Sequence, residues 1–229
     1  MSRSPKSYRG NRAEVAEVLI PPMGLVGSLR IPQQSCGVIA FAHGSGSSRL
    51  SPRNTYVADA LNHAGFATLL FDLLTKDEEA DRYNVFNIPL LAERLIAALN
   101  WISVEPRTAQ LPVGLFGAST GAAAALVAAA SLADKVGAVV SRGGRPDMAA
   151  AALEEVRAPT LLIVGGNDED VLALNRAALA RLSGPKELKI IPGASHLFSE
   201  PGTLDAVVAE AGAWFTRHLP PADQSAGEG

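Results

Sequence analysis

Cysteine is almost absent from this 229-residue chain, Cys36 being the sole one. A single thiol excludes an internal disulfide framework and any zinc site built on cysteine ligands, and it fits a reducing, cytoplasmic setting. Aromatic residues are scarce, at 5%. Neither sign of charge prevails: 20 Lys and Arg stand against 23 Asp and Glu, a formal net charge of −3. That leaves no basic excess of the kind nucleic-acid binding requires. No apolar run reaches the ~18 residues of a membrane span, because Gly, Ser, Asp or Arg interrupts each candidate. The opening MSRSPKSYRGNR is polar and basic with no apolar stretch behind it, unlike a secretory signal. What the chain does have is 48% hydrophobic residues, ample for a buried core. At ~150 residues per domain its length predicts one domain, expected over residues 13–219, with flexible tails at 1–12 and 220–229.

Between those tails short β-type runs alternate with helical stretches. The expected strands are Val15–Ile20, Leu25–Ile31, Gly37–Ala42, Phe66–Phe71, Val113–Phe116, Val136–Ser141, Thr160–Val164 and Leu188–Ile191. The first two flank the turn signal PPMG and form an antiparallel opening hairpin. The later ones are apolar throughout, as strands covered on both faces are. In Ile88–Ile102, Leu91, Leu95, Leu99 and Ile102 make one buried helical stripe. Leu204, Val207, Val208, Ala211 and Phe215 make another, whereas Gly121–Leu132 is nearly all alanine and suits a helix pressed close to a sheet. Strands alternating with helices predict an α/β architecture: a doubly wound, mostly parallel eight-stranded sheet with an antiparallel N-terminal strand and helices on both faces.

Such sheets bind ligands beyond the carboxyl ends of their strands. After Val113–Phe116 comes Gly117-Ala118-Ser119-Thr120-Gly121, a G-x-S-x-G pattern that is weak by itself. Its setting, between a short apolar strand and an alanine-rich helix, is that of a nucleophile elbow. A serine on so sharp a turn is strained, and glycines two residues to either side make room for neighbouring backbone. Serine needs a base. Of the four histidines, His63 and His218 each close a helix, and His43 reads as a brace of its loop. His196, in PGASHLFSE between the last strand and the last helix, is the candidate base. Asp168, in GGNDED after the seventh strand, is the candidate acid that orients it, and Asp170 is the alternative if it does not cap the following helix. The oxyanion donors expected are the N–H of Thr120 and that of Ser45, in the loop HGSGSS. Arg142, in SRGGRPD, is a candidate substrate-binding residue for an anionic group, unless it or Arg145 is tied to Asp147; Arg49 and Arg53 raise the same question.

Taken together, the HGSG loop, the GASTG elbow, the GGND segment and the PGASH loop resemble the α/β-hydrolase superfamily, in particular its dienelactone-hydrolase-like branch, over roughly residues 14–219. The resemblance implies an α/β-hydrolase fold with Ser119, Asp168 and His196 as nucleophile, acid and base. It also implies an oxyanion hole at Ser45 and Thr120, and no cofactor or metal. Dienelactone hydrolases resemble this chain except that their nucleophile is a cysteine, so a serine here favours a general carboxylic-ester hydrolase. Fewer than twenty residues, 142–159, stand where the superfamily inserts its cap, so no large cap domain is expected and small or soluble esters fit best. Thioesterase, amidase and lactone hydrolysis stay open, as does a catalytically silent binding protein. Nucleotide-dependent redox chemistry does not fit, because the glycine-rich turn lacks G-x-G-x-x-G spacing. The expected partner is a small-molecule ester, with neither nucleic acid nor membrane, for a monomer or homodimer.

Overall fold

The computed structural model describes residues 14–220. Apart from Pro220, the tails expected at 1–12 and 220–229 lie outside the described residues. The order of elements is β1 (Glu14–Ile20), β2 (Leu25–Ile31), β3 (Gly37–Ala42), α1 (Pro52–His63), β4 (Phe66–Phe71), α2 (Lys76–Ala80), α3 (Ile88–Ile102), β5 (Val113–Ala118), α4 (Thr120–Ser131), β6 (Val136–Arg142), β7 (Thr160–Gly165), α5 (Glu169–Arg181), β8 (Lys186–Ile191) and α6 (Thr203–His218). Short 3-10 segments cover Asn84–Phe86 and Pro146–Glu155.

All eight strands join one sheet in the order β1-β2-β4-β3-β5-β6-β7-β8. β2 runs antiparallel to both of its neighbours, and the pairings from β4 to β8 are parallel. The expected N-terminal reversal is therefore a property of β2, with β1 returning along the edge. Alternate residues of the inner strands feed two cores, as the period of a strand dictates. β3 shows the pattern well: Val38, Ala40 and Ala42 pack with α3 and α4 on one face, while Ile39 and Phe41 pack with α1 and α6 on the other. The predicted stripe of α3 is buried at all four positions, Leu91, Leu95, Leu99 and Ile102. The alanines of α4 are buried almost all round, because that helix is wedged between the sheet, α3 and the Pro146–Glu155 segment.

The differences from expectation lie at ends and edges. β5 and β6 run on to Ala118 and Arg142, since the parallel ladder between them continues that far. β8 starts at Lys186 instead of Leu188, which an edge strand can do because its outer side tolerates Lys186 and Glu187 in water. The charged run from Lys76 folds into the short, unburied helix α2 because Thr75 and Glu78 form a reciprocal capping box. The 146–155 segment packs against α4 and α5 and carries no cap domain.

β3 and β5 are neighbours in the sheet, but the chain leaves them for opposite sides, to β4 and to β6. Their carboxyl-end loops part there and open a crevice. Closure of that crevice demands glycine. A Cβ at Gly121 would fall 2.1 Å from the Ala42 carbonyl oxygen, and one at Gly117 would fall 2.4 Å from the Ala122 Cα. Gly121→Ala is expected to cost about 3 kcal/mol or more, since rigid backbone must move. Gly212→Ala, in mid-α6 with nothing within 4 Å of the added methyl, is expected to stabilise by about 0.5–1 kcal/mol. Denaturant midpoints of the two variants measure both.

Candidate active site

Ser119 joins β5 to α4 with φ 51° and ψ −122°, a backbone conformation that strains any L-residue with a side chain. Two hydrogen bonds hold it there. Its N–H donates to the Arg142 carbonyl at 3.3 Å, and its own carbonyl accepts from the Arg145 N–H at 3.0 Å. Gly44 lies against it on the other side, where a Cβ would come 2.9 Å from Ser119 Cβ. The elbow is thus clamped between the loops after β3 and β6, and its side chain projects into a cavity of about 250 Å³ shared with His196.

His196 and Asp168 arrive on different loops that are laced together. The Gly166 N–H donates to the Ile191 carbonyl at 2.8 Å and the Asn167 N–H to the Ala194 carbonyl at 2.9 Å. Asn167 Nδ2 adds a bond to the Gly193 carbonyl at 3.0 Å. A Cβ on Gly165 would lie 2.3 Å from the Ala194 carbonyl oxygen, so only glycine admits this approach. The outcome is a 2.7 Å contact between His196 Nδ1 and Asp168 Oδ2. Asp168 occupies the N-cap position of α5, yet its side chain makes no capping bond and is spent on the imidazole. Asp170, the alternative acid, is exposed in the first turn of α5. His196 Nε2 remains for a proton from the cavity side. No hydrogen bond joins Ser119 Oγ to His196 among the described residues; the two face one cavity, an arrangement that tightens only with substrate in many hydrolases.

Ser45 and Thr120 do meet, but the Ser45 N–H donates to Thr120 Oγ1 at 2.9 Å and is not free. The Thr120 N–H, first in α4, has no acceptor within its helix.

The β3 loop is braced from β4. His43 Nε2 accepts the Leu73 N–H at 3.1 Å, and its Nδ1 therefore bears the proton, 3.1 Å from the Gly44 carbonyl. Asp72 accepts from the Arg49 N–H at 2.8 Å and from Arg49 Nη1 at 2.5 Å. Arg145 donates two hydrogen bonds to Asp147, Nε to Oδ1 at 2.9 Å and Nη2 to Oδ2 at 2.7 Å. Arg142 is left out of that pairing, and its side chain enters the cavity with Arg53. Neither Arg53's convergence with Arg142 nor the Thr120 hydroxyl was legible in the sequence; both depend on how loops fold over the sheet.

Three comparisons bear on this geometry. Residues 25–217 match the dienelactone hydrolase family. A dienelactone hydrolase of known structure from Anabaena variabilis is 54% identical, covers 91% of this chain and 98% of its own, and superposes with a TM-score of 0.87. A Xanthomonas campestris protein described as an α/β serine hydrolase without a lid is 21% identical over 92% of this chain and 97% of its own, with a TM-score of 0.74, a likeness of fold alone. A Mycobacterium tuberculosis protein with the provisional name phosphoribosyl transferase is 58% identical over 208 residues, 91% of this chain but 47% of that protein. The chain thus spans about half the length of the curated relatives it matches.

The neutral brace at His43 makes a pH prediction. Burial lowers its pKa below the ordinary histidine value, against smaller upward effects of the Gly44 bond, Asp72 and Glu79. A lowered folded-state pKa means stability present above about 6.5 and lost as pH falls through the folded value. His43→Leu is expected to lower stability at pH 7.5 by about 1–3 kcal/mol, as the Leu73 N–H loses its acceptor. It should also lose less stability than the parent between pH 7.5 and 5. Urea unfolding of both proteins at the two pH values measures the difference.

Proposed function

The chain belongs to the dienelactone hydrolase family, and on that premise we propose that it is a serine hydrolase cleaving small or water-soluble carboxylic esters through an acyl-enzyme. Hydrolysis follows from the family, and the ester bond and the residue roles are the proposal. The observation that carries it is the 2.7 Å His196–Asp168 contact beside a strained serine. An imidazole fixed at Nδ1 by a carboxylate presents its other nitrogen as a base and is stabilised once protonated.

In this reading His196 Nε2 takes the Ser119 proton as Oγ attacks the acyl carbon. Charge develops on the carbonyl oxygen at the amino end of α4, where the Thr120 N–H and the helix dipole favour it. The Ser45 N–H joins as second donor once the oxyanion, a stronger acceptor than a neutral hydroxyl, draws it from Thr120 Oγ1. Each such donor is worth roughly 3 kcal/mol in the transition state. His196 then returns the proton to the leaving alcohol, and water repeats the steps on the acyl-serine. The Pro146–Glu155 segment, packed on α4 and α5, supports an open site suited to small substrates. The transferase name of the mycobacterial relative belongs to a protein of which this chain matches 47%; the present reading rests on the shared half.

Ser119→Ala is expected to remove p-nitrophenyl acetate hydrolysis by at least about 10³-fold with the melting temperature retained, and a fluorophosphonate probe is expected to label Ser119 of the parent. Residual turnover near the parent level in pure Ser119→Ala, or no labelling, would sink the assignment. Asp168→Asn should lower kcat on the order of 10³–10⁴-fold, as loss of the orienting carboxylate does. A panel of matched esters, thioesters, amides and lactones ranks the acyl bond by kcat/KM.

A further inference from the structure

Arg142 ends β6 with 8% of its surface exposed. Among the described residues it has no ion pair, and its Nε and Nη1 are buried with no hydrogen-bond partner. Its nearest compensation is the Phe198 ring, 6.0 Å from the guanidinium carbon to the centroid. A buried, unpaired guanidinium is costly, so proteins ordinarily supply it with an acid. The fold does so three residues away, where Arg145 holds Asp147 by two bonds. It does not do so here.

Instead a second cation stands beside it. Arg53, at the start of α1, lines the same cavity, and its Nε is likewise buried and unpartnered. Burial and then the charge of Arg53 push the Arg142 pKa down to about 10, so Arg142 remains protonated at neutral pH. None of the residues that line this cavity is acidic. Glu79 shares an adjoining groove with Arg53 but forms no ion pair with it. Asn54, next in α1, also reaches the cavity with its Oδ1 buried and unpartnered, and the first turn of α1 brings the positive end of a twelve-residue helix to the same wall.

We propose that this cavity takes a substrate carrying an oxyanionic group, a phosphoryl group in preference to a carboxylate, which Arg142 and Arg53 clamp while the ester lies at Ser119. The assignment deepens the hydrolase reading and rests on it for the ester. The anion is a handle and not the bond that breaks: water cleaves the acyl–oxygen bond to an acid and an alcohol, and the anionic group leaves unchanged. Phosphoryl is the better match by charge. Within this cavity two guanidinium groups and a helix amino end meet no protein anion, so a dianion neutralises them where a carboxylate leaves one charge over. Guanidinium forks also meet phosphoryl oxygens two at a time.

The test uses the full chain and p-nitrophenyl esters of three acids of similar size: butanoate, succinate and 3-phosphonopropanoate. The expected order of kcat/KM is phosphonate, then carboxylate, then neutral, with at least tenfold between first and last. Arg142→Gln and, separately, Arg53→Gln should each lower the phosphonate:neutral ratio by about 10- to 100-fold, the effect of losing a charge-assisted bond. Inorganic phosphate should compete with the phosphonate ester and lose at least tenfold in affinity in either variant. Calorimetry of inorganic phosphate with Ser119→Ala reads the site without turnover, and Arg53→Gln serves if Arg142→Gln does not fold. Equal kcat/KM on all three parent reactions, a carboxylate preferred to the phosphonate, or ratios unmoved by both substitutions would overturn the proposal. If Ser119 is labelled and the neutral ester is cleaved but phosphate does not bind, the anion site falls and the hydrolase stands. Should phosphate bind in an arginine-dependent way with no ester cleaved, the reverse holds.

Discussion

The backbone of Ser119 is held at φ 51° by bonds to Arg142 and Arg145 and by the close passage of Gly44, and the site exists only while that strain is held. Such a residue gains nothing from its own conformation, so neighbours must over-determine it. Here the neighbours are the loops after β3 and β6, the strands that flank β5 in the sheet. Sheet order therefore sets the elbow. The glycines at 117 and 121 have the same origin, since each stands where two backbones pass too closely for a methyl group.

A second set of loops brings His196 and Asp168 together by the same device. Segment 165–167 is tied to 191–194 by main-chain bonds and an asparagine side chain, and Gly165 permits the approach. The Asp168–His196 contact is then a consequence of strand pairing between β7 and β8, extended past the strand ends. The β3 loop that faces them is fixed from β4 by His43 and Asp72. Strands β3, β5, β7 and β8 thus deliver their carboxyl-end loops, each bonded to a neighbour, to one rim.

Against this well-bonded frame the arginines stand apart. Polar groups inside proteins normally find partners, and the surrounding bonds show that this fold supplies them readily. Arg142 and Arg53 keep buried nitrogens without partners at the wall of the reactive cavity. The same cavity therefore combines a strained serine with a positive field, and such a field favours negative charge wherever it develops or is brought in.

Much of this was legible along the chain. Continuous apolar runs marked the inner strands, 3.6-residue periodicity marked α3 and α6, and the residues that follow β5, β7 and β8 marked Ser119, Asp168 and His196, because a parallel sheet sends all such positions to one edge. Tying Arg145 to Asp147 was also within reach, the two being neighbours in sequence. Other features were not. The meeting of Ser45 with Thr120, of His43 with Leu73, and of Arg53 with Arg142 spans 75, 30 and 89 positions. Periodicity and spacing report which edge of a sheet a residue reaches, and they are local quantities. Whether a guanidinium at that edge finds a carboxylate or is left facing a cavity depends on how separate loops fill space together, and that is decided only when the chain has closed on itself.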